Sequence, residues 1–227
     1  MLLELKKRRP FMSTELTAII YITILLSGYL IGSVSFARLI FKKLKPGEPP
    51  ARIITPTTDD NEKFISHAIG ATNVMIAFGA KWGMLTTLLD VMKAFIPVII
   101  LRVIFPDEYF HLACAVAVLI GHLWPIWYKF SGGGGNSSIM GMLLAISPVG
   151  LIVTHAVGMI AGRFAPALSF LGGVMFTIPW FIFRNGFFSF ETAFAFAITI
   201  IYILGQIPEI RQLSRLKKRG IYTKSLT

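Results

Sequence analysis

Cysteine occurs once in this sequence, as Cys114, so no disulfide can close within the chain and a cysteine-ligated metal site is not expected. Cys114 sits inside an apolar block and reads as a small packed hydrophobe. Charge is scarce too: Asp, Glu, Lys and Arg make up 15% of the 227 residues, against about 25% in an ordinary soluble domain. No Ser/His/Asp, Cys/His or HEXXH spacing is present, which removes the standard hydrolase and metalloprotease machineries. The glycine run Gly132 to Gly135 lacks the Lys and Ser/Thr that follow the glycines of a nucleotide-binding P-loop. There is no strong internal repeat of the kind that marks many transporters. The first apolar stretch has no small-residue cleavage site, so it is expected to remain as a helix and not to be a signal peptide.

What the chain has is hydrophobicity: 55% of its residues are apolar and its mean hydropathy is +0.70. The apolar residues fall in blocks of about 17 to 25, the length a helix needs to cross roughly 30 Å of hydrocarbon. The expected fold is therefore all-α, a polytopic transmembrane helical bundle forming a single domain over residues 1–227. A basic tail (1–15) precedes a first span over Leu16 to Phe41, and a long polar loop (42–69) with little regular structure follows. Further spans are expected over Leu85 to Ile104, Phe110 to Tyr128, Val149 to Ala161, Leu168 to Phe183 and Phe190 to Ile207, before a basic C-terminal tail (208–227). The short piece Ile139 to Ile146, cut off by Pro148, makes the count six or seven.

The formal charge of +11 does not call for nucleic acid, because the Lys and Arg residues lie at the ends and between apolar blocks, where they orient helices and meet headgroups. Most of them collect on the side holding the loops after the first and third spans and the C-terminal tail, which makes that side cytoplasmic. Seven crossings would put the N-terminus, with Lys6, Lys7, Arg8 and Arg9, on the opposite side, against that rule.

Three polar, glycine-bearing stretches share the expected cytoplasmic face: Gly28 to Phe36, Ser66 to Asn73 and Gly121 to Ser138. Non-helical backbone near membrane depth persists only where protein or a watery cavity satisfies it, so their convergence points to a site. Glycines 132 to 135 allow backbone amides to approach an anion; read alone they are more often a flexible turn between two helices. Thr72 and Asn73 are expected to cap a short helix over Val74 to Trp82. Asp90 and Lys93, one turn apart in a span, are expected to pair or to touch a ligand. His122 is a candidate acid, base or donor, whereas His67, His111 and His155 read as packing or surface residues.

As a set these motifs resemble the PlsY family, seven-helix bacterial acyl-phosphate:glycerol-3-phosphate acyltransferases. The resemblance rests on Gly28, Tyr29, Leu30, Gly32 and Ser33; on Gly70, Ala71, Thr72 and Asn73; on Leu88, Asp90, Val91 and Lys93; on Gly121, His122 and Pro125; and on Phe130, Gly132, Gly133 and Gly135. It implies seven helices, a location in the bacterial inner membrane and a site facing the cytoplasm. The substrates it implies are acyl phosphate and glycerol 3-phosphate, with the acyl tail lying between helices in the bilayer. It also implies no side-chain nucleophile, no cofactor and no metal. His122 and Asn73 become catalytic candidates, and Ser33, Ser66, Gly70, Thr72, Asn73, Gly132, Gly133 and Gly135 substrate-binding ones, supported by Asp90 and Lys93.

The chain also departs from the family pattern. A family arginine is Ile76, the lysine of the glycine loop is Gly134, and the C-terminal histidine and asparagine positions carry Gln206 and Glu209. Charge-assisted hydrogen bonds contribute about 1.5–3 kcal/mol each, so losing two cations lowers the rate by roughly 10² to 10⁴ unless others stand in. Arg38, Arg52, Lys63 and Lys81 are the candidates to do so, and Glu209 is expected to repel a nearby phosphate. Two other readings stay open: a catalytically degenerate member that binds an acyl lipid or regulates a paralogue, and a small-solute transporter.

Overall fold

The apolar blocks fold as helices, and many of their large hydrophobic side chains face outward, as lipid demands. The computed structural model describes residues 13–164 and 168–223; Lys6 to Arg9 and the end of the basic C-terminal tail lie outside them. Its helices are α1 (Thr14–Ser33), α2 (Phe36–Leu44), α3 (Ala71–Phe78), α4 (Ala80–Ile104), α5 (Phe110–Leu123), α6 (Asn136–Ile146), α7 (Pro148–Phe164), α8 (Leu168–Met175), α9 (Thr177–Asn185), α10 (Phe190–Gly205) and α11 (Ile207–Lys218).

Helix α5 is the centre. Its span is 67% buried, against 22% for the span containing α1 and 28% for α4, and it packs against α1, α4, α6 and α10. Ile19, Ile22 and Leu26 of α1 and Met84, Leu88 and Val103 of α4 stay exposed, the positions a bilayer covers. The α1–α5 seam closes on small residues. A Cβ added at Gly121 would lie 2.1 Å from the Tyr29 carbonyl oxygen, and one at Gly32 would lie 2.2 Å from that of Val118. Gly121→Leu must therefore push the two helices apart, and thermal unfolding in detergent should show a loss of about 1–3 kcal/mol.

Several expected spans are broken, for local reasons. The first ends at Val34, where Ser35 caps α2 by accepting from the Arg38 amide at 3.4 Å, so Leu16 to Phe41 is two helices. Pro179 has no N–H to offer the Met175 carbonyl, and the expected helix over Leu168 to Phe183 becomes α8 and α9. Pro208 likewise ends α10, and α11 leaves it at 53°. Among the described residues, three segments are long and apolar enough to cross a membrane by themselves: Thr14–Leu44, Ala80–Ile104 and Phe110–Tyr128. The bent α10–α11 pair makes up to four, and α6 and α7 are shorter apolar helices. The bundle is thus built from a few full-length helices and several short ones.

The polar loop after α2 is more ordered than expected. Strands β1 (Ile54–Pro56) and β2 (Lys63–Ile65) pair antiparallel, with Thr55 opposite Phe64. This hairpin is tied to the C-terminal end: Thr57 bridges to Thr223, Gln212 Nε2 donates to the Lys63 carbonyl at 3.3 Å, and Arg219 pairs with Glu62.

Candidate functional site

The three glycine-bearing stretches meet at one end of the bundle. Ile69 N–H donates to the Gly132 carbonyl at 3.0 Å, joining the Ser66–Asn73 segment to the glycine loop. Gly133 N–H donates to the His122 carbonyl at 3.1 Å, and Gln206 Nε2 to the Gly134 carbonyl at 3.1 Å. Between the second and third stretches and the start of α11 lies a cavity of ≈ 210 Å³ walled by glycines 132 to 134, His67, Gln206 and Glu209.

The glycine loop is prepared by an uncommon backbone. Lys129 and Phe130 hold φ of 52° and 57°, a region that costs a side-chain-bearing residue about 1–3 kcal/mol, and such strain gathers at functional sites. Gly135, at φ +88°, then turns the chain into α6, a conformation suited to glycine. A Cβ on Gly133 would fall 2.4 Å from His122 Nε2, so the imidazole lies directly against the loop.

Behind that imidazole is a buried charge cluster. Asp90 and Lys93 pair at 2.8 Å with side chains 5% and 4% exposed, and the Asp90 carboxylate lies 3.8 Å from His122 Nδ1. Lys93 Nζ also donates to the Val34 carbonyl at 2.7 Å, filling an acceptor left open where α1 stops. One buried ion pair thus braces the α1–α2 break, α4 and the histidine under the glycine loop.

The remaining expected site residues divide. Asn73 is buried, and both ends of its amide are used: Oδ1 accepts from Gly70 N–H at 2.9 Å and Nδ2 donates to the Ala51 carbonyl at 3.0 Å. The short helix consequently begins at Ala71 with Gly70 as its cap, not at Val74, and Thr72 is an exposed residue of its first turn. Ser33 is buried and donates to the Tyr29 carbonyl at 2.8 Å, away from the cavity. Ser66 donates to Glu209 at 3.4 Å.

Of the cations proposed as substitutes, Arg38 reaches the glycine loop. Its Nη2 donates to Ser131 Oγ at 3.5 Å, and its guanidinium stacks 4.7 Å from the Tyr128 ring centroid. Sequence reasoning passed over His67, which lines the cavity, and Arg211 and Arg215, which line an adjoining pocket with His67 and Pro208. The four-residue spacing of the two arginines on a helix was the available signal.

The glycerol-3-phosphate acyltransferase family model matches residues 22–216. The glycerol-3-phosphate acyltransferase of Wolbachia sp. subsp. Brugia malayi (strain TRS) is 34% identical over 178 residues, 76% of this chain and 85% of that protein. Its counterpart from Pelagibacter ubique (strain HTCC1062) is 30% identical over 168 residues, 73% of this chain and 81% of that protein. The crystal structure of PlsY (YgiH), an integral membrane glycerol 3-phosphate acyltransferase, in its glycerol 3-phosphate form matches with a TM-score of 0.72 at 23% identity. That match covers 90% of this chain and 96% of the other, and establishes the fold.

Proposed function

We propose that this chain, which belongs to the glycerol-3-phosphate acyltransferase family, moves an acyl group from an acyl phosphate to the 1-hydroxyl of glycerol 3-phosphate, yielding lysophosphatidic acid for phospholipid synthesis. The hydroxyl oxygen bonds to the acyl carbon, the C–O bond to the phosphate breaks, and the hydroxyl proton leaves on the released phosphate. No side-chain nucleophile or cofactor is needed, since the acyl phosphate is already activated. The protein's part is to hold the two substrates together and to stabilise charge as it develops.

The observation that carries this reading is the meeting of the Ser66–Asn73 segment, the glycine loop and Gln206 around one small cavity at an end of the bundle. In it, Gly132, Gly133 and Gly135 shape the phosphate-facing backbone, and His122 supports the loop from beneath. Asn73 fixes Gly70 in place, and Asp90 with Lys93 holds His122 and the α1–α2 break. Ser33 and Thr72 contribute to the frame. Arg38 supplies charge near the loop in place of the missing family cations. The whole chain works as one transmembrane domain of the bacterial inner membrane with its site toward the cytoplasm, a side favoured by Arg211, Arg215, Lys217, Lys218 and Arg219 just beyond α10.

The test is direct. Purified protein in detergent, given palmitoyl phosphate and labelled glycerol 3-phosphate, should form lysophosphatidic acid well above the protein-free control; equal signals in the two would overturn the reading. A catalytically degenerate, lipid-binding member is the second reading, and the carboxylate of Glu209 at the cavity wall is the observation that favours it. Family membership leaves the transporter reading without support.

A further inference from the structure

Glu209 stands in the first turn of α11 and sends its carboxylate across to the loop that precedes α3. One oxygen, Oε1, accepts from His67 N–H at 2.9 Å, Ala68 N–H at 3.3 Å and Ser66 Oγ–H at 3.4 Å. Successive backbone amides joined by a hydroxyl form a concave donor set of the kind that holds anions. Here the anion is part of the chain. Among the described residues, Glu209 and the imidazole of His67 are the only ionisable side chains lining the glycine-walled cavity, with no Lys or Arg in its wall.

Two consequences follow from this arrangement. Two backbone donors beside the cavity, those of His67 and Ala68, are already occupied by a carboxylate, and the same carboxylate repels a phosphate placed beside it. At the same time the adjoining pocket, which shares His67 and Pro208 with the cavity, is lined by Arg211 and Arg215, so cationic charge stands next to the position that Glu209 fills.

We propose that Glu209 is a resident competitor for the acceptor's phosphate: glycerol 3-phosphate gains the Ser66–Ala68 donors only by displacing it, and Glu209 thereby sets how much acceptor the site demands. The inference rests on the acyl-transfer reading for the identity of the acceptor, but its geometry concerns only a carboxylate and a phosphate contending for the same donors. Ser66 enters as one of the contested donors, and Glu209 as a specificity-determining residue.

The experiment measures glycerol 3-phosphate binding by calorimetry on the full-length protein in detergent, as wild type, Glu209→Gln and Glu209→Ala, with lysophosphatidic acid formation followed in parallel. Removing the charge should tighten binding at least about tenfold and lower KM for glycerol 3-phosphate by a similar factor, with a smaller change in kcat. Unchanged or weaker binding in both variants overturns the proposal. A readout on the wild type guards against variants that fold poorly. On adding saturating glycerol 3-phosphate, hydrogen exchange should speed up in the first turn of α11, which loses its hold on the loop, while the His67 and Ala68 amides stay protected. Increased protection across residues 206–211 instead overturns displacement. The two readings separate cleanly. Wild type that makes lysophosphatidic acid while Glu209→Gln binds no tighter defeats this inference alone. A wild type without activity, paired with a tighter-binding Glu209→Gln, defeats the acyl-transfer reading and leaves the competition standing.

Discussion

Lys93→Met should destabilise the protein by about 3–5 kcal/mol, because it leaves the Asp90 carboxylate buried without its counter-charge. The pair is almost wholly enclosed, with side chains 4% and 5% exposed, so water cannot take the place of the missing ammonium. The Val34 carbonyl loses its donor in the same step, which adds an unsatisfied acceptor at the α1–α2 break. Denaturation of the purified protein by heat or by SDS measures the loss. The double replacement Asp90→Leu with Lys93→Met removes both charges together and should recover much of it, since a packed apolar pair avoids the desolvation term. Wild-type stability in the single variant would show that the ion pair carries no structural weight.

Gly133→Leu should reduce acyl transfer by at least about 10², because displacing a positioned group by roughly 1 Å is enough to have that effect. The Cβ alone would lie 2.4 Å from His122 Nε2, so either the imidazole or the glycine loop, which walls the cavity, must move. Gly134 provides the contrast: the nearest atom to an added Cβ there is Asn136 Nδ2 at 4.0 Å, and Gly134→Ala should be far milder. Labelled lysophosphatidic acid production, normalised to protein that still elutes as a single species in detergent, gives the comparison. Equal rates in Gly133→Leu and wild type would move the chemistry away from this loop.

The parts of this architecture governed by local composition were legible in the sequence. Hydropathy located the long apolar helices, since a lipid-facing helix needs an unbroken apolar run, but not the breaks within Leu16–Phe41 and Leu168–Phe183 or the polar helix α11. Asp90 and Lys93, three residues apart, had to be neighbours on one helix face, and they are paired at 2.8 Å. The glycine stretches were visible as clusters of residues that a membrane helix seldom places together. What escaped was non-local or fine-grained. The break at Val34 carries no proline, and it is held by a lysine that is 59 residues away in the chain. The β1–β2 hairpin has strands of three residues each, too short for an alternating pattern to register. Glu209 was read as a charge hostile to phosphate; that it is itself bound by the donors of a loop 141–143 residues earlier is a tertiary fact that no spacing rule encodes.

The link between the β1–β2 hairpin and the α11 region joins segments that are synthesised far apart in time. Thr57, Glu62 and Lys63 of the first loop are joined to Thr223, Arg219 and Gln212, so these ties form only after both segments have been synthesised. A nascent chain therefore carries the hairpin through the insertion of every intervening helix before the clasp that joins it to α11 can close.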